Sequence, residues 1–90
     1  MLFIVKWTIP YEARNEALER FRKSGGLPPS GVKFVARYHF ADGSGGVSIG
    51  ETDDPIAMYR WSQEWSDLLI MDTRPVLSDD QVTKALGWDA

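Results

Sequence analysis

The chain is 90 residues long, carries a formal net charge of −3, and contains one histidine and no cysteine. A chain of this length makes one domain and buries only about 60–65% of its unfolded surface, so a partner subunit would help to stabilise it. The charge argues against a general role on nucleic acid or anionic membranes. Without cysteine, disulfides, thiolate nucleophiles and Cys-based metal sites are excluded, and one histidine excludes a multi-histidine metal site within one chain.

Leu2 to Ile9 reads as a strand. Phe3, Val5, Trp7 and Ile9 line one face, and Leu2 and Ile4 make the other apolar before Lys6 and Thr8 turn it polar. A strand apolar on both faces lies in a sheet covered on both sides. A helix is predicted from Pro10 to about Lys23, with Ala13, Ala17, Leu18 and Phe21 at helical spacing. Glu16–Arg20 and Glu19–Lys23 are i,i+4 pairs in the favoured order, and Gly25 is the expected stop. Ser24 to Gly31 is a connection too short to link domains.

Val32 to Ala41 reads as the second strand. Val32, Phe34, Ala36, Tyr38 and Phe40 alternate with Lys33, Val35, Arg37 and His39. Asp42 to Gly46 reads as a turn and Val47 to Thr52 as the third strand, completing a hairpin. Asp53-Asp54-Pro55 opens a second helix, whose face carries Ala57, Met58, Trp61, Trp65 and Leu68. Leu69 to Val76 is the fourth strand, and Pro75 marks it as an edge. Ser78-Asp79-Asp80-Gln81 matches a capping box for a short last helix, with Val82, Ala85 and Leu86 expected inward and Gly87 as stop.

The order β-α-β-β-α-β with a tail helix is the ferredoxin-like pattern, an α+β fold on a four-stranded antiparallel sheet. Two helices cover one sheet face. A second copy of the sheet is the simplest cover for the other, which predicts a homodimer with sheets face to face. No segment approaches the length of a membrane span and no secretory leader is evident, so a cytoplasmic location is expected. No cofactor is expected.

Met1-Leu2-Phe3-Ile4-Val5 with Trp7, Pro28-Pro29-x-Gly31-Val32, Arg37-Tyr38-His39 and Gly45-Gly46 follow one another along the chain. Glu51-Thr52-Asp53-Asp54, Glu64-Trp65-Ser66-Asp67-Leu68 and Pro75-Val76-Leu77 come after them. Over nearly its whole length the chain resembles the small bacterial proteins of the DUF3303 type, a domain of unknown function. The resemblance implies a dimeric α+β barrel and no particular reaction. More distantly, the layout is similar to barrels of the antibiotic-biosynthesis-monooxygenase type, cofactor-free or haem-degrading, whose members often place Asn, Trp and His around the substrate. Here the only asparagine is Asn15 and the only histidine His39, and no equivalent triad can be matched.

His39 is the one candidate for a catalytic base; no catalytic set is assigned. Its alternative is a strand histidine at a sheet edge or dimer seam. Arg37 sits two residues away on the same strand face, about 7 Å along it, and the two together could hold an anionic group. Edge protection or a salt bridge to Asp72 or Glu51 would equally account for Arg37. Trp7, Tyr38, Trp61 and Trp65 could wall an apolar pocket, or simply be core. Asp42-Gly43-Ser44-Gly45-Gly46 lacks the features of a phosphate loop and reads as a hairpin turn that could gate a pocket. Glu64 and Asp67 read as a solvated rim beside the tryptophans. The reading is a homodimer that binds a small apolar or aromatic ligand, anionic in one version, through Trp7, Arg37, Tyr38, His39, Trp61 and Trp65. A cofactor-independent monooxygenase or isomerase with His39 as base is a second reading, and a protein–protein interaction module is a third.

Overall fold

The computed structural model describes residues 1–88. Strand β1 (Leu2–Thr8) runs through a 3-10 turn at Tyr11–Ala13 into helix α1 (Arg14–Ser24). Strands β2 (Lys33–His39) and β3 (Gly45–Glu51) form a hairpin, and helix α2 (Pro55–Trp65) leads to strand β4 (Ile70–Val76) and helix α3 (Asp79–Ala85). The four strands make one antiparallel sheet in the order β2-β3-β1-β4. This is the expected ferredoxin-like arrangement. β4 lies at an edge, where Pro75 costs no interior ladder bond.

Local chemistry explains the element ends. The Asp54 carboxylate accepts from the Ile56 N–H and Pro55 occupies the first turn of α2, a cap joined to a residue that lacks the orphan donor. α1 stops at Gly25, which adopts φ 71° and donates its N–H to the Phe21 carbonyl; a left-handed residue there suits glycine. The start of α1 differs from expectation. Pro10 keeps an extended ψ of 144°, so the chain makes a 3-10 turn first and regular helix begins at Arg14.

The core lies between the sheet and α2. Phe3, Val5, Met58 and Trp61 form its buried cluster, with Trp7, Val32, Trp65 and Met71 packed against it. Each such side chain removed from water contributes roughly 1.5–3 kcal/mol. Gly50 makes the close approach of α2 possible. A Cβ there would stand 3.0 Å from Val32 Cγ1 and 3.1 Å from Trp61 Cζ3.

Two expectations are corrected. Strand β2 does not alternate throughout: its pairing with β3 shifts between Phe34 and Ala36, leaving Val35 as an extra residue. Such a bulge lets residues separated by an odd number share a face. Phe34, opposite Gly50, therefore faces the helices together with Arg37, opposite Ser48, and not with Tyr38. The last helix also differs. Its capping box forms as expected, but Val82, Ala85 and Leu86 are exposed rather than inward. Seven residues leaving the edge of the sheet meet no neighbouring element closely.

The second sheet face stays open. Ile4, Val47 and Ile49 on the two central strands are only partly buried, whereas Phe3, Val5, Ser48 and Gly50 beside them are buried. In a strand, neighbours point to opposite faces, so the helix layer protects one set and, among the described residues, nothing equivalent protects the other.

Candidate functional site

The cleft that brings most of the candidate residues together lies under α1, on the helix side of the sheet. Val5, Trp7 and Ile9 form its floor, Arg37 and His39 its β2 edge, Ala17, Leu18 and Phe21 its roof, and Trp61, Trp65 and Met71 its far wall. The cavity amounts to about 60 Å³ and is partly open to solvent. Its lining is almost entirely apolar. The reason is positional: Trp7 pairs with Gly46 on one side and Met71 on the other, so the indole lies across a glycine. A Cβ on Gly46 would stand 2.6 Å from Trp7 Cζ2.

His39 ends β2 at the lip of this cleft. Its ring meets Trp7 edge-on at 5.2 Å between centroids and Phe21 at 5.3 Å with a tilt of 51°. Among the described residues no carboxylate pairs with it. The imidazole is thus positioned by aromatic faces and not by a second polar group of the kind that orients a catalytic base.

Arg37 is engaged by the protein itself. Its Nε donates to Ser48 Oγ at 3.0 Å, one terminal nitrogen donates to the Gly25 carbonyl at 3.0 Å, and the other donates to the Gly26 carbonyl. Its guanidinium also stacks near Phe21 and Phe34, at 5.3 Å and 5.0 Å from their centroids. Partial burial lowers its pKa from the ordinary value, but a guanidinium keeps its charge in proteins. Neither salt bridge considered for it forms; Asp72 pairs instead with Arg74. Arg37 holds the α1 C-terminus onto the sheet.

A second cation closes the other side of the roof. Arg20 makes a two-pronged bond to Asp67, at 2.8 and 2.6 Å, and donates to the Glu64 carbonyl at 3.0 Å. It lies 5.4 Å from the Trp65 ring. Of the two pairs expected within α1, Glu19–Lys23 forms at 3.7 Å, with Arg22 also on Glu19, whereas Glu16–Arg20 is corrected: Arg20 reaches across to the segment after α2. Asp67 is a clamp rather than a rim residue. Its pKa is lowered chiefly by the hydrogen bond from Arg20.

A folded-state pKa below the unfolded value means that the clamp's stabilisation is complete above the ordinary carboxylate range. It is lost as pH falls through the depressed folded value. In an acid titration followed by tryptophan fluorescence, the wild-type protein should show a step below the ordinary carboxylate range. Asp67→Asn should abolish that step, leaving α1 loosened at all pH values.

Two sequence candidates fall outside this cleft. Tyr38 points to the open sheet face and is 64% exposed. The glycine run is not a loop: Gly45 and Gly46 are buried in β3, and the turn proper is closed by the Asp42 carboxylate accepting from the Ser44 N–H. Phe21, Ser48 and Met71 join the site although they were not singled out for it. Among the described residues, no group of three or more metal-ligating side chains is present, and no helix is long and apolar enough to cross a membrane.

No curated protein matches the chain. A family model described as a domain of unknown function, DUF3303, matches residues 1–87. That match covers all four strands and all three helices, and the chain belongs to the DUF3303 family.

Proposed function

We propose that the protein is a homodimer that holds a small neutral apolar or aromatic molecule in the cleft beneath α1. The observation that carries this reading is the cleft's lining, tryptophans and aliphatic side chains with an almost complete lack of unengaged polar groups. Sites for apolar molecules are concave and mostly apolar. An anionic ligand fits less well, because the Arg37 hydrogen bonds already run to Ser48, Gly25 and Gly26. Trp7, Trp61 and Trp65 supply walls and His39 sits at the lip. Tyr38 belongs to the opposite, dimer-forming face.

The cavity of about 60 Å³ is smaller than the roughly 150 Å³ that accepts benzene in an engineered core. Admission of a ligand therefore lifts α1. That helix makes no close backbone approach to a strand comparable to that of α2 on β4. Beside the packing of Ala17 and Phe21 it is tied by the Arg20 and Arg37 bonds, and it is the movable side of the cleft.

The test uses N-phenyl-1-naphthylamine, a neutral apolar fluorophore. Saturable binding with energy transfer from tryptophan is expected. Ala17→Leu, which fills the cleft from the roof, should weaken binding at least tenfold while the fold persists. His39→Ala should weaken it by less than that and leave dimerisation intact. No saturable binding, or binding indifferent to Ala17→Leu, would sink the cleft as the site. Oxygen-dependent turnover of a quinol lost in His39→Ala would instead favour the oxygenase reading.

A further inference from the structure

We propose that α3 is an arm exchanged between two copies of this chain, laid across the partner's open sheet face. The proposal rests on the homodimer reading above and assigns to it a contact that the sheets alone do not provide.

Among the described residues two apolar surfaces lack cover, and they are continuous. The open face carries Leu2, Ile4, Val47 and Ile49, and ends at Val76, the register partner of Leu2. Leu77 follows at once and is 64% exposed; α3 then presents Val82, with Leu86 at its C-cap and Trp88, 65% exposed, just beyond it. The helix approaches no other element closely. The radius of gyration is 14.8 Å and the longest extent 49 Å, against about 12 Å expected for a compact chain of this length. A short helix with an exposed apolar face is unstable by itself in water, and its stability normally comes from packing that face. The capping box on Ser78 and Gln81 shows that the sequence nevertheless specifies this helix.

Area argues for a second copy as the occupant. Four strands of seven residues give a planar footprint of roughly 450 Å², at about 3.4 Å per residue and 4.8 Å per strand. A stable specific interface buries about 800 Å² per partner. An apolar arm from each copy adds contact beyond the strands themselves, twice over by the two-fold axis. Charge agrees: Asp79 and Asp80 open the arm and Lys84 closes it, while the open face carries Lys6 and Lys33 beside Glu51 and the mutually paired Asp72 and Arg74. Asp79, Asp80, Lys6 and Lys33 form no ion pair among the described residues.

The experiment is sedimentation equilibrium of the full chain and two variants, Ile49→Asp on the sheet face and the double variant Val82→Asp with Leu86→Asp on the arm. The wild type should be dimeric at micromolar concentration. The arm variant should raise the dissociation constant at least tenfold with an unchanged sheet signature in circular dichroism. If Ile49→Asp dissociates the dimer and the arm variant does not, the arm is overturned and the homodimer stands. A wild type monomeric throughout overturns the homodimer and the arm with it. Because the chain has no cysteine, a bis-maleimide can also link Leu86→Cys in one chain to Val47→Cys in another. A covalent heterodimer on mixing the two supports exchange. Linkage found only when both substitutions share a chain overturns it in favour of an arm folded on its own sheet.

Discussion

Gly46→Ala is expected to lower the melting temperature by roughly 12–24 °C, the equivalent of about 3 kcal/mol for a chain of this size. The added methyl would lie 2.6 Å from Trp7 Cζ2 and 2.9 Å from its Cη2, and closer still to the Tyr38 carbonyl oxygen. The first conflict involves a side chain that is itself wedged between β3 and β4, and the second involves backbone of the paired strand. Neither neighbour is the free end of a flexible group, so the sheet must yield. Total stability for a chain this long is of order 5–13 kcal/mol, so the loss is a large share of it. Trp7→Phe added to Gly46→Ala should recover part of the loss by removing the second indole ring. Recovery should stay incomplete because the carbonyl conflict remains, a coupling that a double-mutant cycle reads directly. Calorimetry showing Gly46→Ala within 3 °C of wild type (below about 0.8 kcal/mol) would contradict this account of the strand.

Arg37→Ala should cost about 2–4 kcal/mol, since hydrogen bonds to a charged donor are worth about 1.5–3 kcal/mol each and their loss strands acceptors. Ser48 Oγ and the Gly25 and Gly26 carbonyls lose their donor together. Gly25 and Gly26 both have positive φ, so this turn is a backbone conformation held in place from across the sheet. Hydrogen exchange should show fast opening of the last turn of α1 in the variant, with the β1–β3 ladder still protected. Arg37→Lys should restore little of the stability, because an ammonium cannot span three acceptors in the way a planar fork does. A melting temperature unchanged by Arg37→Ala would remove Arg37 from its role as the tie of α1.

What could be read from the residues follows physical period and local chemistry. The helix stop at Gly25, the Asp54-Pro55 start, the Ser78–Gln81 box and the Pro75 edge are all short-range effects, and each lies where the sequence places it. The tryptophan face of α2 was legible for the same reason: a helical stripe points one way. Three other features depend on partners distant in sequence. Arg20 carries equal local attraction to Glu16 and finds Asp67 only once α1 and α2 are side by side. Arg37 reads equally as a ligand group, an edge guard or the partner of Asp72 or Glu51, and nothing local reveals that the α1–β2 connection folds back over it. Tyr38 reads as an apolar wall on the face opposite Arg37 and His39, and only the packed helices show that the cleft lies on the Arg37 side.

The extra residue in β2 has a consequence for how the chain tolerates changes in length. Val35 has no pairing partner in β3 and its side chain is 49% exposed. Deleting it would leave an ordinary strand in which Phe34, Arg37 and His39 keep their present side of the sheet. Deleting Phe34 or Ala36 instead gives the same count, with Val35 taking the vacated register position, whereas a one-residue change between Arg37 and His39 would part those two side chains to opposite faces. The bulge at 34–36 therefore works as the strand's expansion joint, the short stretch where loss of a residue would pass without rewriting what the two faces of the protein display.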